Sequence, residues 1–136
     1  LLMMSPNTVI DRIELLLNKD EHTQQQYLLQ QFDYSISAAY PIADESEKRI
    51  DVHASGCNRE EPDELFLEWI ANHPGTWSGV VHIFFKNEKA PSLSIHFKQS
   101  ILNSYSQSFT ENSGYQQNGY FAAQLKEVTI NQIQMN

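Results

Sequence analysis

Two histidines occupy near-matching settings in the stretch VVHIFFKNEKAPSLSIHFK: His82 in V-H-I-F and His96 in I-H-F-K. If the two segments pair as antiparallel strands, directly opposed residues place their β-carbons about 4.5–5.5 Å apart. Two imidazoles at that distance can share a metal ion or hold a phosphate between an acid and a base. His53 and Asp51 lie two residues apart in RIDVHAS, on one face of another candidate strand. Side-by-side hairpins would bring three histidines and an aspartate together, which is the constellation of a small hydrolase or phosphodiesterase.

A second set of residues offers electrostatic chemistry. ADESEK carries Asp44, Glu45 and Glu47, and REEPDELFLE carries Glu60, Glu61, Glu64 and Glu68. Through Glu68 the chain has 14 acidic and 5 basic residues, net −9, and the remainder has 3 acidic and 4 basic, net +1. Such a block suits a docking surface for a basic protein and repels a phosphate backbone, so nucleic acid is disfavoured as a partner. Cys57 precedes a predicted helix, where a helix N-terminus would lower its pKa, yet one thiol without a visible base is usually structural. The paired histidines invite comparison with the 2H phosphoesterases, whose motifs read H-x-[ST]. Here Phe84 and Lys98 stand where the hydroxyl residue belongs.

The elements that would position these groups follow from periodicity. SPNTVIDRIELLLNKD repeats apolar residues at Val9, Ile10, Ile13, Leu16 and Leu17, which predicts a helix. DEHTQQQYLLQQFD predicts a second helix through Leu28 and Phe32, although YLLQQFDYSISAAY also fits a long strand. Alternation over residues 34–40 and 49–55 predicts a hairpin in which Tyr40 faces Ile50, Ala38 faces Val52 and Ser37 faces His53. NREEPDELFLEWIANHPG predicts a helix capped by Asn58 with Glu61 and burying Leu65, Phe66, Trp69 and Ile70. In the histidine hairpin the odd positions Val81, Ile83, Phe85, Leu93, Ile95 and Phe97 are apolar and form the core face. Matching Ile83 with Ile95 sets His82 opposite His96, a register favoured because it closes the ladder just before Pro91; a two-residue slip would instead pair His82 with Ser94 or Lys98. A last strand is expected in EVTINQIQM.

The expected fold is therefore α+β: one domain over residues 1–136, with an antiparallel sheet of about five strands built from hairpins against two or three helices. At 40% hydrophobic residues the chain can fill one core. One cysteine excludes an internal disulfide, no zinc-type spacing occurs, and no apolar run is long enough to span a membrane, so a cytoplasmic protein is expected. No P-loop, dinucleotide-binding glycine pattern, G-x-S-x-G or H-E-x-x-H is present, and neither a metal nor a cofactor is expected. Small, acidic and without a catalytic signature, the chain reads as a protein-binding module. The most concrete version is a bacterial immunity protein or antitoxin that neutralises a basic, nuclease-type toxin by covering its nucleic-acid-binding surface. The hydrolase built on His82 and His96 is the alternative, and oligomeric state is left open.

Overall fold

The computed structural model describes residues 9–39, 49–72, 75–109, 111 and 119–136. The segment read as the first helix is strand β1 (Ile10–Asn18), and the second is the first part of β2 (Gln24–Ala39). Ile13, Leu15 and Leu17 are buried at alternate positions, with Glu14 and Leu16 between them. The run of three leucines satisfies a helical period and a period of two equally well. Pairing decides between them, because β1 is hydrogen-bonded to β2 on one side and to β4 (Ser78–Phe85) on the other.

Strands β3 (Arg49–Asn58), β5 (Leu93–Phe97), β6 (Gln99–Gln107), β7 (Gly119–Lys126), β8 (Thr129–Ile130) and β9 (Ile133–Gln134) complete one antiparallel sheet of nine strands. Their order is β6-β7-β3-β2-β1-β4-β5-β8-β9. The fold is thus nearly all β, with a single helix, α1 (Glu64–Ala71), among the described residues, and the α+β expectation with two or three helices is corrected. The expected last strand is a tight hairpin, β8 to β9, turning at Asn131 and Gln132, whose φ angles are 46° and 76°.

Strand β2 is long because it serves two partners. Residues 24–29 pair with β1, and residues 29–39 pair with β3. The register shifts at Gln30, between Leu29↔Asn58 and Gln31↔Cys57, and this bulge turns Phe32 onto the face that Leu29 occupied. In the β2–β3 hairpin Ala38 faces Ile50 and Ser37 faces Asp51, two residues from the expected pairing, so His53 lies opposite Ser35. A two-residue slip keeps every side chain on its expected face.

One cluster of buried residues draws on both flanks of the strand order: Leu15, Val52, Val81, Ile95, Phe121 and Leu125 among them. A sheet that contributes β5 and β7 to the same core must curl back on itself. Asn136 ties the curl: its Oδ1 accepts from the Val128 N–H at 2.8 Å, and its Nδ2 donates to the Ile50 carbonyl at 3.2 Å. Gly56 permits the Phe121 ring to lie against β3, where an added β-carbon would meet that ring at 2.9 Å.

Helix α1 closes the core. Phe66 and Trp69 are its buried residues, and the Phe66 ring lies 5.3–5.8 Å from the rings of Tyr27, Trp69, Tyr105 and Phe121. The Trp69 indole N–H donates to Ser100 Oγ at 2.8 Å, and Ser100 Oγ donates to the Trp77 carbonyl at 2.9 Å, so a buried polar chain fixes the helix to β6. The cap is Asp63 rather than Asn58. Its side chain accepts from the Phe66 N–H at 2.9 Å, while Asn58 is the last residue of β3.

Candidate functional site

The histidines are neighbours, but diagonally. His82 faces Ser94 on β5 and Glu14 on β1, whereas His96 faces Val80 on β4 and Thr129 on β8. The rings stand 6.0 Å apart at 77°. Glu14 is already engaged, accepting from Arg12 Nε at 2.7 Å, and Arg12 also bonds Asp11 at 2.9 Å while its guanidinium lies 3.8 Å over the Phe84 ring. Burial, followed by the charge of His96, holds the His82 imidazole below its ordinary pKa, with Glu14 pulling the other way.

His96 is exposed beside a broad groove of about 600 Å³ of mixed character, lined by Pro91, Ser92, Ser94, Thr129 and Asn131. His53 lies on β3, with β2 and β1 standing between it and β4, and Asp51 is paired with Arg49 at 3.2 Å. The structure therefore does not bring the three histidines and the aspartate together. No group of three or more His, Cys, Asp or Glu residues able to hold a metal occurs among the described residues. Cys57 is buried within β3, with its Sγ 3.6 Å from Gln30 Oε1, and does not sit at the helix N-terminus.

The acidic residues separate in the same way. Asp44, Glu45 and Glu47 lie outside the described residues. Glu68 is bonded to Lys19 at 2.6 Å, an exposed pair of small energetic weight. Glu60, Glu61 and Glu64 remain exposed around the start of α1. There the structure forms a feature that sequence reasoning missed: a pocket of about 270 Å³ lined by residues 25–28, Asn58, Glu60 and Asp63. Asn58 pairs with Leu29 and so projects on the face shared by Leu29 and Tyr27. It is 2% exposed, and neither its Oδ1 nor its Nδ2 has a hydrogen-bond partner. The Tyr27 hydroxyl donates to Asp63 Oδ1 at 2.7 Å, and burial together with that bond raises the phenol pKa. The signal for Asp63 was present in the sequence, since an aspartate directly before E-L-F is a good N-cap.

A third feature is unpaired surface. Tyr34 and Ile36, 41% and 42% exposed, share a face of β2 with the buried partners Ala54 and Val52, so the apolar face of this strand runs beyond the core it covers. At the end of the sheet order, β6 reads QSILNSYSQ, without the proline and lysine that commonly guard an edge; its start is covered, since the Ser100 N–H donates to the Gly75 carbonyl at 3.2 Å.

No protein-family model matches the chain, and no curated protein matches its sequence. The fold is shared with solved structures. Hcp1 from Flavobacterium johnsoniae aligns with a TM-score of 0.70 at 12% identity, over 93% of this chain and 99% of that one. A chain of the anti-feeding prophage baseplate, determined with sixfold symmetry, aligns at 0.58 and 9% identity over 97% and 100%. A chain of the sheath/tube terminator of the PVC extracellular contractile injection system aligns at 0.56 and 10% identity over 88% and 92%. At these identities the fold is what is shared. The structural neighbours are thus Hcp and contractile injection chains, which overturns both the immunity-protein or antitoxin reading with its basic toxin partner and the hydrolase alternative.

Proposed function

We propose that this protein is a ring- and tube-building subunit of a contractile injection apparatus, and that it works by self-association. The observation that carries this reading is the end-to-end correspondence with Hcp1 of Flavobacterium johnsoniae, 93% of one chain against 99% of the other. The sixfold symmetry of the prophage baseplate and the sheath/tube setting of the PVC chain indicate the kind of assembly. The surface supports it chemically. The Tyr34–Ile36 face and the β6 edge are different surfaces, so a contact between them is heterologous and repeats around a ring. A stable contact of this sort hides about 800 Å² on each partner, which an apolar strand face and an added β ladder together can supply.

Sedimentation velocity and negative-stain electron microscopy test the proposal. The expected species is a closed ring with sixfold symmetry, as in the baseplate, and Ile36→Asp is expected to release monomers whose unfolding midpoint is unchanged. A wild-type chain that stays monomeric from micromolar to millimolar concentration overturns it.

A further inference from the structure

His82 and His96 share the face of β4 and β5 opposite the core residues Val81, Ile95 and Phe97. Their pairing is diagonal, since His82 faces Ser94 and His96 faces Val80, and diagonal neighbours start about 7 Å apart, within reach of ring side chains. The rings do meet, with centroids 6.0 Å apart. Neither imidazole joins a hydrogen bond or an ion pair with another described residue, so the ring nitrogens are uncommitted.

We propose that His82 and His96 together bind one divalent transition-metal ion of the kind that takes imidazole ligands, copper(II) ahead of nickel(II) and zinc(II). The separation fits. An imidazole nitrogen lies about 2.1 Å from such an ion and about 1.1 Å from its own ring centre, so each centroid stands roughly 3.2 Å from the metal. Two rings on one ion are then about 4.5 Å apart at a right angle and about 6.4 Å apart in line, and the 6.0 Å found here falls between. Both ligands belong to one chain, so the site exists whether or not the chain assembles. Magnesium and calcium, which prefer oxygen ligands, do not compete for it.

The surroundings hold the two rings in place. Phe84 meets the His82 ring edge to face at 6.0 Å, and the Arg12 guanidinium lies 3.8 Å over Phe84 in turn. Strand β5 is pinned by Asn131, whose Oδ1 accepts from the Ser94 N–H at 2.8 Å and whose N–H donates to the Ser94 carbonyl at 3.0 Å. Ligands carried on paired strands keep their spacing better than ligands on loops. Glu14, opposite His82 on β1, contributes a negative charge that favours a cation, and Arg12, bonded to it at 2.7 Å, offsets part of that charge. Two protein ligands leave coordination positions for water. The groove beside His96 has room for such water, with Ser94 and Thr129 along its wall, and an ion held by so few protein groups exchanges freely.

Titration of Cu²⁺ into the full chain, followed by calorimetry and electron paramagnetic resonance, tests the site. One equivalent per chain is expected, with the nitrogen couplings of two imidazoles. His96→Gln, at an exposed position, is expected to weaken binding by about tenfold or more, at least the loss that removal of an outer-shell partner brings. The double variant with His82→Gln is expected to abolish it, whereas His22→Gln and His53→Gln leave it unchanged, and millimolar Mg²⁺ does not displace the copper. Copper bound equally well by His96→Gln, a spectrum showing one imidazole only, or a wild-type chain that binds no copper overturns the proposal. Sedimentation of the metal-free chain reads assembly separately. Rings that bind no copper overturn the metal site alone, and a monomer that binds copper through both histidines overturns the assembly reading alone.

Discussion

His82 shows how a side chain of ordinary type acquires an environment from its neighbours. It is half-buried, it stands 6.0 Å from both Phe84 and His96, and its pKa is lowered from 6.5 chiefly by burial and then by His96. In the unfolded chain the imidazole takes a proton at higher pH than in the fold, so the unfolded state binds more protons in the intervening window. The stability contributed by neutral His82 is complete above pH 6.5 and is lost as the pH falls through the lower folded value. Urea midpoints measured between about pH 8 and pH 5 are expected to decline, and His82→Gln is expected to remove part of that decline. Equal slopes in the two proteins would show that His82 does not contribute. Residue alternation made the shared face of His82 and His96 legible, but not their exact pairing. Asn87, with φ at 68°, helps shape a turn that leaves Ile83 opposite Leu93, and the sequence contains no comparable cue for that offset.

At the scale of elements, helix α1 was readable and its starting point was not. Asn58 with Glu61 and Asp63 with Phe66 are both plausible beginnings, and strand pairing of Asn58 with Leu29 removes the first from competition. Asp63→Ala loses the cap of α1 and the acceptor of the Tyr27 hydroxyl, and is expected to cost about 1–2 kcal/mol. Asp63→Asn retains an acceptor for Phe66 N–H and is expected to cost less. Chemical denaturation followed by tryptophan fluorescence reads both, and equal stability of Asp63→Ala and wild type would remove the cap from the account. The two segments read as helices were misassigned for a definable reason. Isolated segments of their length gain little as helices, whereas β1 gains two strand neighbours at once, a benefit that appears only when distant residues meet.

For the whole molecule, closure of the sheet is the organising event. The core combines β5 with β7, and Asn136, which holds the Val128 N–H, reaches the Ile50 carbonyl across 86 residues of sequence. Asn136→Ala leaves the buried Val128 N–H without its acceptor and is expected to destabilise the fold by about 1–3 kcal/mol. A urea midpoint equal to that of wild type would show that the link is dispensable. The same sheet presents two unlike surfaces, the half-exposed apolar residues Tyr34 and Ile36 of β2 and, at one end of the strand order, β6.

The sequence by itself determined the charge asymmetry, the core faces of β4 and β5, the presence of a helix around Phe66 and Trp69, and the absence of familiar catalytic motifs. These depend on composition or on periodicity within a few residues. The tertiary structure alone decided that residues 10–18 are a strand, that the strand alternative wins over the helix for the segment beginning at Gln24, that both favoured hairpin registers slip by two residues, and that Asn58 is stranded in an acidic pocket. Each of these outcomes is set by partners far away along the chain, whose pairing energy no local pattern records.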